Sequence, residues 1–235
     1  MSRRAQSNVV GVALLLGIAV VSMGALTATV GMLVDSNAAA ADAERVAADF
    51  DTAFEPVAAT GPQRGTVTFS EGRLATVDRT IEIRADGVTV ETVQTDALVY
   101  ESDDRRVAFH SGAVVRGQAG EAWLETPPPI TVDDDLLIVG VARLGDDIRT
   151  VSGSGGVTTT VRTNVSHSRT DLGTATVSVA VETAAPGAWE RYFERHGASV
   201  DRLSGDPPTV EATFDGDRTG YLVVHDLAAE VGGHA

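Results

Sequence analysis

The sequence predicts an α+β protein. A long N-terminal helix, transmembrane at first and amphipathic further on, precedes a mostly antiparallel β domain that carries one cross-sheet helix. Three observations predict this. Residues Gln6–Val34 contain no charged side chain. Apolar residues then recur at helical spacing as far as Phe54, and from Gly65 onward the apolar period drops to two. The expected divisions are residues 1–5 as a leader, 6–55 as the N-terminal helix and 65–235 as the β-rich domain.

The N-terminal helix comes first. At about 1.5 Å rise per residue, Val9–Val34 spans roughly 39 Å, enough to cross a bilayer core with some tilt. Arg3 and Arg4 lie ahead of the run, and the first charges behind it are Asp35 and Asp42. The positive-inside bias therefore puts the N-terminus in the cytoplasm and residues 35–235 outside, in a single-pass arrangement. Gly17, Gly24 and Gly31 are spaced seven apart, and Gly24 with Ala28 forms a small-xxx-small step. Such a face suits close helix–helix packing, although small residues are common in membrane helices for other reasons too. Ala39, Ala43, Val46, Phe50 and Phe54 then form an apolar stripe, with Asp42, Glu44, Asp49 and Asp51 expected on other faces. The helix should thus continue beyond the membrane, pack its stripe on the next domain and stop at Pro56, ahead of Gly61-Pro62.

In the β domain, Ile81 and Ile83 alternate with polar residues, as do Val88 and Val90, and Asp86-Gly87 between them is a hairpin turn. Further strands are expected at Thr66–Ser70, Ala97–Glu101, Arg106–His110, Leu136–Arg143, Val157–Asn164 and Thr174–Glu182. Gly153–Gly156 reads as a flexible turn, and Thr126–Pro129, with three consecutive prolines, as an extended break. Pro186–His196 reads as a helix with Trp189, Tyr192 and Phe193 on one face and Gly197 as its stop. A last hairpin is expected from Val210–Phe214 and Tyr221–His225.

Composition narrows the function classes. The chain has 33 acidic and 18 basic residues, a formal charge of −15, and no lysine or cysteine. An acidic, lysine-free surface points to a high-salt, haloarchaeal source, with arginine-favouring codon bias as the alternative. It also argues against nucleic acid as a partner, since little here could neutralise phosphates. Without cysteine the exported domain has no disulfides.

No catalytic, cofactor-binding or metal motif emerges, so the chain is not read as an enzyme and no cofactor is expected. His110, His167, His196, His225 and His234 lack metal-ligand spacing. Ser152 and Ser154 lack a nucleophile elbow. Asp133-Asp134-Asp135 reads as a solvated turn, and Asp215–Gly220, a partial match to a calcium loop, as a hairpin tip. Asn164-Val165-Ser166 is an Asn-x-Ser sequon, which makes Asn164 a candidate for N-glycosylation.

The segment Arg3-Arg4-Ala5-Gln6-Ser7-Asn8 followed by the hydrophobic run resembles the start of haloarchaeal type IV pilin-like and archaellin-like precursors. The resemblance covers roughly residues 3–34. It implies cleavage by a prepilin peptidase between Ala5 and Gln6, with Arg3 and Arg4 lost and the hydrophobic helix kept. The glutamate near the start of mature bacterial pilins is Val10 here. A secretory signal ending near Ala38–Ala41, a twin-arginine signal and an uncleaved anchor are the competing readings; the apolar run is too long for the first two. The resemblance implies a pilin-like fold and a structural subunit, minor or accessory, of an archaeal type IV pilus-like surface filament. Its implied partners are a prepilin peptidase, other pilin-like subunits, and an assembly ATPase with its membrane platform protein. The alternative is a single-pass membrane-anchored extracellular binding module of unknown ligand.

Overall fold

The computed structural model describes residues 3–55, 59–118, 121–145, 148 and 150–232. Helix α1 runs from Arg3 to Phe54. Among the described residues thirteen strands follow: β1 (Gly61–Val77), β2 (Thr80–Ala85), β3 (Val88–Gln94), β4 (Ala97–Ser102), β5 (Arg105–His110), β6 (Ala113–Gln118), β7 (Glu121–Thr126), β8 (Ile130–Val132), β9 (Leu136–Arg143), β10 (Val151–Glu182), β11 (Ser199–Leu203), β12 (Thr209–Asp226) and β13 (Glu230–Val231). Helix α2 (Pro186–Arg195) lies between β10 and β11. The chain is thus α+β, and it divides into two units, residues 1–40 and residues 41–235.

In the second unit the strand order is β7-β6-β5-β4-β1-β10-β12-β9-β8, with β2 and β13 also on β10, β3 on β2 and β11 on β12. Every pairing of these strands is antiparallel except β9 with β12. Two apolar clusters form. Ala43, Val46, Phe50 and Phe54 of α1 pack with Phe69, Leu98, Tyr100, Val107 and Phe109 of β1, β4 and β5. Trp189, Tyr192 and Phe193 of α2 pack with Val177, Val179, Val181, Val210 and Phe214 of β10 and β12. The amphipathic stripe and the cross-sheet helix therefore bury the residues that their helical spacing selects. Gly197, at φ +78°, ends the second helix.

The β2–β3 hairpin forms as expected: Ala85 pairs with Val88, and Asp86 and Gly87 both have positive φ, 50° and 76°, as a type I′ turn requires. Pro127 to Pro129 separate β7 from β8. Pro56 lies outside the described residues.

Several expectations are corrected. Val157–Asn164 and Thr174–Glu182 are parts of one strand, β10, because Ser166–Asp171 between them pairs with β12 although it is polar on both faces. Gly153–Gly156 is also inside β10. Gly155 and Gly156, at φ 89° and 98°, absorb a register shift opposite Phe69–Glu71, a distortion that glycine tolerates. Val210–Phe214 and Tyr221–His225 do not form a hairpin. They lie end to end on β10, Val210 opposite Val181 and His225 opposite His167, and Asp215–Gly220 is an irregularity within β12. Strands β6, β7, β8, β11 and β13 were not expected from the sequence pattern.

Candidate functional site

Helix α1 carries most of the residues singled out above. Arg3, Arg4, Ala5 and Gln6 lie in its first turns, and their side chains are outside the described residues. Side chains from Ala13 to Met32 are all exposed, Leu15, Val21 and Met23 among them at 69–73%. A Cβ added at Gly17, Gly24 or Gly31 would meet nothing within 4 Å, so this face is open to a partner. Among the described residues, this is one helix long and apolar enough to cross a membrane, with a mean hydropathy of 2.1 in its most apolar window.

Beyond Ala40 the same helix is fixed to the sheet by carboxylates as well as by its apolar stripe. Ahead of its pairing with β4, strand β1 has an edge that no strand covers among the described residues, and the helix covers it. Asp42 Oδ2 accepts the Ser70 N–H at 2.7 Å and the Glu71 N–H at 3.3 Å, Oδ1 accepts the Ser70 hydroxyl at 3.1 Å, and Arg45 donates to Oδ1 at 2.8 Å. Two turns on, Asp49 Oδ2 accepts the Thr68 N–H at 2.8 Å. Asp42 is buried, at 4% exposure, which its place off the apolar stripe does not reveal. Helix and strand approach so closely at Gly65 that a Cβ there would lie 2.4 Å from that of Ala53. Replacing Asp42 by alanine should cost about 2–4 kcal/mol, since two backbone N–H groups lose their acceptor, while Arg45→Ala should cost under about 1 kcal/mol. Denaturant unfolding of the two variants checks this; equal losses would show that the carboxylate is not the latch.

Three other expectations can be placed. Asn164 and Ser166 are exposed on one face of β10, with Val165 buried between them. Asp133-Asp134-Asp135 is the turn joining β8 to β9, held by the Asp133 N–H on Leu136 O at 2.8 Å. Histidines that look scattered in sequence include one pair: His167 and His225 face each other across β10 and β12 with their Nδ1 atoms 2.9 Å apart. Burial, then the neighbouring His167, lowers the His225 pKa. Among the described residues, no group of three or more His, Cys, Asp or Glu could hold a metal ion. His234 lies outside them.

A cavity of about 390 Å³, missed at the sequence level, lies on the face of β4–β6 opposite α1. Alternation sends Val107 and Phe109 toward α1 and leaves Arg106, Ala108 and His110 on the cavity side. Arg79 enters from the β1–β2 connection, where its carbonyl accepts the Thr95 N–H at 2.8 Å and its guanidinium donates to Asp78 O at 2.5 Å. His110 is 3% exposed, stands edge-on to the Trp189 ring at 5.6 Å, and its Nε2 has no hydrogen-bond partner among the described residues. Burial first, then Arg79 and Arg106, push its pKa down to about 3, so the ring is neutral at ordinary pH. The only sequence trace of this site is Arg105-Arg106 with His110 two strand periods beyond Arg106.

The chain matches no curated protein and no solved structure. A family match extends over residues 4–230, from the start of the apolar helix to β13. The chain belongs to that family, DUF7289, a family of unknown function.

Proposed function

We propose that this protein is a pilin-like structural subunit, minor or accessory, of an archaeal type IV pilus-like surface filament. The observation that carries the reading is the double character of α1. Its first part exposes large apolar side chains and an open glycine face, while its later part is latched to a β domain. Exposed apolar surface on that scale requires lipid or other apolar helices around it. In this reading the helix first spans the membrane, with the N-terminus cytoplasmic and the acidic β domain outside. After a prepilin peptidase removes Met1–Ala5, it packs against the helices of other pilin-like subunits, driven by an assembly ATPase and its platform protein. The halophilic composition fits a domain facing brine.

Mass spectrometry of the protein extracted from its native membrane tests this. The expected mature N-terminus is Gln6 or its cyclised form. A terminus near Ala41 would overturn the reading in favour of a secreted domain, and an uncut chain would favour a membrane-anchored binding module. The arginine-lined cavity is the observation that favours this second reading.

A further inference from the structure

We infer that the cavity beside β4–β6 binds a small organic monocarboxylate with an apolar body, a role that holds whether or not the chain enters a filament. The site is less acidic than the chain: its three arginines face three carboxylates, Glu101, Asp103 and Asp104, so its lining is formally neutral. In a molecule of net charge −15, Arg79, Arg105 and Arg106 converge on one pocket. Among the described residues no carboxylate makes a close charge-assisted hydrogen bond to them, although Glu182, Asp78 and Asp206 act on Arg79 electrostatically. Arg106 is 3.7 Å from Glu101 and Arg105 is 3.4 Å from Asp104, against about 2.7–2.9 Å for a full charge-assisted hydrogen bond. Among the described residues the buried Arg105 Nε has no hydrogen-bond partner, and Arg79, 9% exposed, donates to a backbone carbonyl.

The second, independent observation is His110. The residue lines this cavity, and its buried Nε2 has no partner among the described residues, an arrangement that costs stability unless a ligand supplies one. A neutral imidazole holding its proton on Nε2 donates to an anion, as the guanidinium forks do. The Ala185 N-cap of α2 has no side-chain cap and lines the same cavity, adding the positive end of a ten-residue helix.

The remaining lining selects among anions. Ala97, Ala108, Val115 and Ala122 give a short apolar floor that suits a hydrocarbon body. Glu101, Asp103 and Asp104 also line the cavity and repel a second negative charge. A cavity of about 390 Å³ falls within the roughly 300–1,000 Å³ of small-molecule sites.

Benzoate is the probe, with benzyl alcohol as its neutral analogue, terephthalate as a dianion and chloride as a simple anion. The full chain in detergent, with its histidines labelled with ¹⁵N, is titrated with each. Benzoate should move the His110 Nε2 resonance saturably, and the other three should need at least about tenfold higher concentration for the same shift. Arg79→Gln and Arg106→Gln should each weaken benzoate about tenfold, and Ala108→Phe, which fills the floor, should abolish the shift. An unmoved His110 resonance at high benzoate, or equal potency of benzyl alcohol or chloride, would overturn the inference. Should Arg79→Gln fail to fold, the titration of the unaltered chain still decides.

Discussion

Replacing Phe50 by alanine is expected to destabilise the β domain by about 3–5 kcal/mol, the range for deleting a fully buried aromatic side chain. Phe50 has no exposed surface and sits edge-on to Phe54 at 6.0 Å, which stacks in turn on Phe109 of β5 at 4.0 Å. Removing its ring leaves a void between α1 and the sheet that the surrounding strands cannot close, because β1, β4 and β5 are held in register by their ladders. For a domain of this size the melting temperature should fall by roughly 6–20 °C. Phe50→Leu should recover more than half of the loss, and Val88→Ala, at a site 68% exposed, should stay within about 0.5 kcal/mol. Thermal melting followed by circular dichroism checks all three. A Phe50→Ala protein that melts with the unaltered chain would mean that the second half of α1 is not part of the folded core.

Acidification should unfold the domain partly through His110. Its pKa of about 3 in the fold lies below the ordinary 6.5, so below pH 6.5 the unfolded chain takes up a proton that the folded chain refuses. The corresponding stability is fully present above about pH 6.5 and is lost as pH falls toward 3. At 1.36 kcal/mol per unit, it is on the order of 5 kcal/mol. Arg79 and Arg106 oppose protonation from the cavity side, and the Trp189 ring excludes water on another. The lowered pKa of His225 acts with the same sign. Melting temperatures of the unaltered chain and of His110→Gln, compared between pH 7.5 and 3.5, isolate the His110 share, since glutamine cannot titrate. Equal pH slopes for the two proteins would show that His110 takes its proton readily inside the fold.

Some of this architecture is legible residue by residue. The uncharged run Gln6–Val34 and the stripe Ala43, Val46, Phe50 and Phe54 identify α1, because a helix brings residues three or four apart onto one face whatever lies elsewhere. Asp86-Gly87 identifies its hairpin, because the turn needs two positive φ angles and these residues adopt them at low cost. The candidate site is less legible. Arg79 and Arg106 are 27 positions apart and meet only because β1, β4 and β5 are neighbours, and His110 looks in sequence like any strand residue.

By itself, then, the sequence determined the exposed apolar helix, its amphipathic continuation, the β2–β3 turn and α2, all of which depend on interactions within a few residues. Tertiary structure alone decided three other matters. It buried Asp42, because the uncovered N–H groups of Ser70 and Glu71 needed an acceptor and only the docked helix brings one. It joined Val210–Phe214 and Tyr221–His225 into one strand, because both segments found their ladder partners along β10 rather than in each other. It gathered three arginines with His110 around one pocket, because strand alternation and neighbour order, not sequence spacing, place side chains on a common face.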